Sequence, residues 1–383
     1  MKWVCRAAVT SELPLLFVCV RQGVSELYRN VRGNPQSPCQ GKAVWDMLTN
    51  CSPASTPQND KAPVCKVGII ADVQYADLED RYNFSKTRLR FYRKALTLLQ
   101  RAVTDWTAQK VDCVLQLGDI IDGFNKAENA SDSALATVIE VLKLVPGPVY
   151  HTWGNHELYN FTQEELIRSV LFSGNIPDCV CPKGKSYYSF DIHRKLKVLV
   201  LNCYEISMLG LPEGSVEHTE AETLLRERNP NSDLNSPEGL IGTERRFVKF
   251  NGTPSDTQLQ WLAENLQEAR ESETNVIVMG HLSVHEESAD TVCLCYGYKD
   301  VKEILSTHSE CVICYLAGHD HEGGSCVDTS GILHATFPGT VESLESEAHA
   351  TAYLYNDSFV IRGKGSYPSF ETKLRYPIGD SNS

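Results

Sequence analysis

Five short segments of the chain end in residue types that bind cations. They are Asp72 and Gln74 in "ADVQ", Gly118 and Asp119 in "LGD", Gly154 through Glu157 in "GNHE", Gly280 with His281, and Gly318 through His321 in "GHDH". Each follows an apolar run that reads as a buried strand, such as "VCKVGII" or "CVICYLA". In a parallel α/β sheet the carboxyl ends of the strands share one edge, so residues far apart in sequence converge there. Glycines preceding these ligands let the backbone turn sharply and the partners approach. Taken singly, an aspartate after a strand is most often a helix cap, and a lone histidine a satisfied core or surface group. Five endings that supply carboxylate, amide and imidazole, with no serine or cysteine nucleophile, point instead to divalent metal ions.

The elements that must position these residues alternate between strand and helix from Val64 onward. "VCKVGIIAD" is followed by a periodic, helical segment from Ser85 to about Thr107, then by "VDCVLQLGD" and a helix through "SALATVIEVLKLV". "GPVYHTWGNHE" reads as a third strand and loop, and Thr162 with Glu165 forms a capping box for the next helix. "SYYSFDIH" and "LKVLVLNCY" read as a hairpin at a sheet edge. Met208 to Pro254 is a polar insertion, of a length uncommon in loops unless they are functional or disordered. A helix over 255–272, the strand "NVIVMGH", a helix over 298–307 and "CVICYLAGH" restore the alternation, and the end is β-rich with an Asn-Asp turn. Parallel βα units followed by antiparallel strands predict an α/β sandwich with mixed sheets. No internal repeat is visible.

The chain has 383 residues, 42% hydrophobic and 22% charged, enough for one large α/β core or two smaller ones. Residues 1–62 differ from the rest and end in the linker-like "NCSPASTPQNDKAP", so they are expected to be poorly ordered or peripheral, with the catalytic domain spanning 63–383. A formal charge of −13 argues against coating nucleic acid or anionic membrane. The expected partner is a small molecule, and the expected state a monomer. Fourteen cysteines lie mostly in apolar runs, which reads as reduced thiols rather than a disulfide scaffold. Of the pairs Cys179/Cys181, Cys293/Cys295 and Cys311/Cys314, only the last has zinc-knuckle spacing, and its place on a strand favours core packing. No run suffices to span a bilayer, and "LPLLFVCV" is preceded by Ser11 and Glu12, unlike a signal peptide. The default location is the cytoplasm or nucleus.

In the order D-x-Q, GD, GNHE, GH, GHDH the motifs resemble those of the calcineurin-like metallophosphoesterases over about residues 64–365. "ADVQYAD", "TWGNHE", "NSPEGL", "GHDHEGG" and "TFPGTVES" look like the manganese-dependent ADP-ribose/CDP-alcohol diphosphatase branch, which also carries glutamine in the second ligand slot. The resemblance implies a metallophosphoesterase-type β-sandwich flanked by helices and holding two divalent ions. One ion would lie on Asp72, Gln74, Asp119 and His321, and the other on Asp119, Asn155, His281 and His319, with Asp119 bridging. His156 matches the family's candidate proton donor. Asp320 should point away from the ions, and Glu157 should orient a neighbour rather than bind.

The Gln74 amide oxygen is a harder donor than imidazole, which favours Mn²⁺ or Mg²⁺, although Zn²⁺ can occupy such a site. The activity so implied is attack by metal-activated hydroxide on the pyrophosphate of a nucleoside diphosphate conjugate, ADP-ribose or CDP-choline, giving a nucleoside monophosphate and a phosphorylated sugar or alcohol. Tyr75 and Phe84 are candidates to stack the base, and Arg245 and Arg246 to pair with the distal phosphate. The alternatives are a phosphomonoesterase or protein phosphatase on the same metal pair, or an inactive scaffold.

Overall fold

Cys65–Ile70, Cys113–Gln116 and Val149–His151 are parallel neighbours in one six-stranded sheet. The same sheet continues on its other side through Ala348–Leu354, Ser358–Gly365 and Phe370–Lys373, all antiparallel. The second six-stranded sheet holds Leu196–Val200, Asn275–Met279, Val312–Ala317 and Leu333–Thr336 in parallel, edged by the antiparallel strands Tyr188–His193 and Gly324–Val327. The computed structural model describes residues 62–83 and 86–379. The expectation for the N-terminal extension therefore falls, apart from residue 62, outside the described residues, and so does Phe84.

Side chains alternate across each strand, and this alternation builds two apolar layers. Val67, Ile69 and Leu115 point between the sheets and pack with Val198, Ile277, Met279 and Leu316. Ile70 and Val114 point outward and join Leu99, Ala102 and Trp106 of the helix Tyr92–Gln109. The Trp106 Nε1–H donates to the Ala350 carbonyl at 3.0 Å, so this buried indole is satisfied. The helices Asp256–Glu271 and Tyr298–Thr307 pack Leu262, Leu266, Val301 and Leu305 over the second sheet. Burial on both faces is what makes the parallel strands continuous apolar runs.

Two expectations change. The first long helix begins at Tyr92, not Ser85, because Arg81–Tyr82 pairs with Leu89–Arg90 and the Asn83 side-chain oxygen accepts the Thr87 and Arg88 N–H groups. The periodicity upstream of Tyr92 belongs to that turn. The insertion is not a bare loop either. It contains the helix Val216–Arg228, capped by the Ser215 hydroxyl, and a 3₁₀ turn over Gly242–Arg246. Only His218, Ala221 and Leu225 of that helix are buried, so its sequence carried little apolar period. The Thr162 capping box forms as expected, its side chain and Glu165 each satisfying the other's backbone N–H. Among the described residues, no helix is long and apolar enough to cross a membrane.

Candidate metal centre

The carboxyl ends of the parallel strands bring seven polar side chains together. Asp72 and Gln74 follow Cys65–Ile70, Asp119 follows Cys113–Gln116, and Asn155 opens the short helix after Val149–His151. His281 follows Asn275–Met279, and His319 and His321 follow Val312–Ala317. All but His319 are buried.

Asp119 lies where two halves of this cluster meet. On one side its Oδ2 is 3.1 Å from Gln74 Nε2, which is 2.9 Å from His321 Nε2, and His321 Nε2 is 3.3 Å from Asp72 Oδ1. On the other side Asp119 Oδ2 is 3.2 Å from His281 Nε2, and the His281 and His319 rings are 5.0 Å apart. Asp119, His281 and His319 present donor atoms all within 4.8 Å of one another. The Asn155 Oδ1 accepts a long bond from the Tyr204 hydroxyl, 3.4 Å, and Tyr204 packs 6.2 Å from the His281 ring.

Whether these groups suit cations can be judged from their lone pairs. Asp72 Oδ1, Gln74 Oε1 and His281 Nε2 are buried without a hydrogen-bond partner, and Asp72 Oδ1 and His281 Nε2 each face another acceptor, His321 Nε2 and Asp119 Oδ2. Buried orphans of this kind need an explanation, and a cation among facing acceptors is one. The histidine tautomers agree. His281 Nδ1 is 2.7 Å from the Leu117 carbonyl, which can only accept, so Nδ1 carries the proton and Nε2 is bare. His321 Nδ1 faces Glu342 Oε1 at 2.7 Å, and His319 Nε2 faces Asn251 Oδ1 at 3.0 Å. In each case an acceptor orients the ring and leaves the other nitrogen for the centre, the usual outer support of a metal-binding histidine. Turning the Gln74 amide over would set Oε1 among the acceptors, an arrangement favoured only with a cation between them. The residues present fit a pair of divalent ions.

Backbone geometry supports the same reading. Asp72, Gln74, Asp119 and His319 all have positive φ, between 43° and 68°, which costs of order 1–3 kcal/mol per residue and persists only where surroundings enforce it. Gly118, at φ 94°, and Gly154 make room: a Cβ on Gly118 would lie 2.3 Å from His281 Nδ1, and one on Gly154 2.1 Å from Asp119 Oδ1. Glu157 does not reach the centre. Its carboxylate accepts the N–H groups of Asp119, Ile120 and Gly154 and so fixes two of the ligand-bearing turns. Asp320 turns away, accepting from the N–H groups of Asp290 and Glu322.

His156 stands beside the cluster. Its backbone N–H donates to Asp119 Oδ1 at 2.7 Å, and its ring Nδ1 accepts the Gly123 N–H at 2.8 Å. Asp122 Oδ2 is 3.1 Å from that nitrogen. Asp122, buried and otherwise anonymous three residues after Asp119, is a neighbour that sequence reasoning missed.

The substrate candidates divide. Arg246 is buried, donating from Nε to the Tyr296 carbonyl and from Nη1 to the Thr243 carbonyl and lying over the Phe247 ring at 4.0 Å, so it braces the insertion from within. These contacts commit Nε and Nη1 to the insertion, which weighs against its expected role on the distal phosphate. Arg245 pairs with Asp290 at 2.6 Å, on the segment to which Asp320 is tied, and so stays near the rim. Tyr75 is half-buried against the core.

Sequence reasoning also missed Asn251 and Glu342, the partners of His319 and His321. "TFPGTVES" had marked the Glu342 region without giving it a role; nothing marked Asn251. Glu342 is held at about 2, burial opposing ionisation but the His321 bond, Arg90 and Arg88 outweighing it. Glu342→Ala is expected to lower metal affinity or activity about 10- to 100-fold, read by metal titration of the purified chain. Unchanged affinity would show that the Glu342 bond to His321 is incidental.

Known proteins resemble this chain. The calcineurin-like phosphoesterase family matches residues 65–323. The manganese-dependent ADP-ribose/CDP-alcohol diphosphatase of Homo sapiens is 41% identical over 311 residues, covering 79% of this chain and 90% of that one. Its Danio rerio counterpart is 43% identical over 310 residues, covering 79% and 96%. A solved dimetal phosphatase from Danio rerio superposes with a TM-score of 0.79 at 42% identity, covering 82% of this chain and 99% of its own.

Proposed function

Since the chain belongs to the calcineurin-like phosphoesterase family, we propose that it is a manganese-dependent diphosphatase. It hydrolyses the pyrophosphate bond of nucleoside diphosphate conjugates of the ADP-ribose and CDP-alcohol classes to a nucleoside monophosphate and a phosphorylated sugar or alcohol. The observation that carries this reading is the meeting of the two ligand sets at the buried Asp119 carboxylate.

Asp72, Gln74, Asp119 and His321 would hold one divalent ion, and Asp119, Asn155, His281 and His319 the other. Such a pair supplies Lewis acidity that acidifies water and neutralises phosphoryl oxygens. The protein's own residues do the rest. Leu117, Asn251 and Glu342 hold three imidazoles in the ligating tautomer. Glu157 clamps the turns at Asp119 and Gly154. His156 presents Nε2 with its proton to the leaving phosphate oxygen, since its Nδ1 lone pair is engaged by Gly123. Tyr75, Phe84 and Arg245 remain the candidates for gripping the conjugate.

The amide oxygen of Gln74 makes the first set rich in hard oxygen donors, so Mn²⁺ is expected to serve best, Mg²⁺ less well, and Zn²⁺ to bind without matching it. Chelation should reduce ADP-ribose and CDP-choline hydrolysis to background, and added Mn²⁺ should restore it while a phosphopeptide stays uncleaved. Equal hydrolysis before and after metal removal would refute the proposal. Cys113 and Cys314, buried thiols inside the sheets, suit a reducing compartment, and the charge of −13 suits a chain that binds neither nucleic acid nor membrane. A cytoplasmic or nuclear monomer is the corresponding expectation, checked by cell fractionation and light scattering.

A further inference from the structure

Beside the far end of the second sheet lies a cluster of ligand-grade side chains that the hydrolytic reaction does not use. Cys326 and His334 stand directly opposite each other on the antiparallel strands Gly324–Val327 and Leu333–Thr336, so their side chains share a face. His285, from the segment after His281, packs against both: its Nδ1, which accepts the Glu287 N–H at 3.2 Å, also lies 3.2 Å from Cys326 Sγ, and its ring is 4.7 Å from that of His334.

The His334 imidazole is set up as a ligand without a partner. Its Nε2 lies 3.1 Å from Asp328 Oδ2, and Asp328 is itself fixed by the Ser330 and Ile332 N–H groups at 2.8 and 2.9 Å. A carboxylate accepting from Nε2–H leaves the Nδ1 lone pair bare. That nitrogen is buried with no hydrogen-bond partner, in a residue only 1% exposed. Burial also pushes His334 down to about 4, with Asp328 unable to offset it, so the ring is neutral at physiological pH and able to ligate.

We propose that Cys326, His285 and His334 form a thiol-containing metal site for a thiophilic divalent cation such as Zn²⁺, separate from the centre at Asp119. Thiolate and imidazole together select such a cation over the hard ions suited to the oxygen-rich centre. Binding exchanges the Cys326 S–H proton for the cation and releases the proton to solvent. Until then the thiol stays protonated, pushed up to about 11 by burial and by Glu287, Asp328 and Glu286, and these carboxylates also attract a cation.

Among the described residues only Asp119, His281 and His319 already present three converging donors. Closure here therefore requires a side-chain rotation, which Cys326, half-buried on the edge strand, is placed to make. A bound cation would tie the segment after His281 to the hairpin after His321.

The centre at Asp119 has no thiol in its expected ligand set, so a thiolate signal would not come from that set. Co²⁺ is titrated into the Mn²⁺-loaded full chain under reducing, oxygen-free conditions. A near-ultraviolet thiolate-to-cobalt charge-transfer band should appear, saturate at one equivalent and vanish on adding Zn²⁺. It should be absent from Cys326→Ser, which keeps full diphosphatase activity, and present in Asp119→Asn. His285→Asn should weaken Co²⁺ binding about 10-fold or more, which keeps the test decisive should Cys326→Ser misfold. No band in the parent chain, or a band that survives Cys326→Ser, would overturn the proposal.

Discussion

Asp119→Asn should lower turnover by roughly 10³-fold or more and strip the chain of at least part of its metal. The substitution keeps the shape of the side chain and still accepts the His156 N–H, so the turn survives. What disappears is the negative charge on which both ligand sets depend. Two-ion stabilisation of phosphoryl transfer is worth several kcal/mol, and about 1.4 kcal/mol corresponds to each tenfold in rate. Metal analysis beside single-turnover kinetics separates the two losses. A variant with parental turnover at saturating Mn²⁺ would mean Asp119 does not bridge.

His156→Ala should reduce kcat by about 10²- to 10⁴-fold with metal content unchanged, the range for loss of a general acid. Its geometry supports the role. A backbone N–H can only donate, so the 2.8 Å contact from Gly123 makes Nδ1 an acceptor and places the ring proton on Nε2. The buried Asp122 carboxylate lies 3.1 Å from the same nitrogen. Conjugates with acidic leaving groups need little proton donation, so they should lose far less than CDP-choline does. An equal loss for both substrate types would make His156 a positioning residue, and a loss of metal would make it a ligand.

Much of the centre was legible because its signals are local. An apolar run buried on both faces and then a polar residue marks the end of a parallel strand wherever it occurs, and the rule that such ends share an edge needs no coordinates. Asp72, Gln74, Asp119, Asn155, His281, His319 and His321 could therefore be placed together from their strand ends and motifs, and Thr162 with Glu165 foretold a capping box. The sequence also identified the family, since its motifs depend on residue type and order.

Tertiary structure alone decided which groups serve these ligands from outside. Asn251 is a single polar residue 68 positions from His319 with nothing beside it to mark it, and Glu342, though inside "TFPGTVES", carries no local sign that it serves His321. Arg246 and Arg245 look alike in sequence, yet one is enclosed by Phe247 and backbone carbonyls while the other reaches Asp290 at the rim. The helix Val216–Arg228 buries three residues and so lacked a readable period. Likewise, the opposition of Cys326 to His334 and the approach of His285 arise from strand register and loop path. Periodicity and capping act over a few residues, whereas register, enclosure and second-sphere hydrogen bonds are set by which distant surfaces exclude water together.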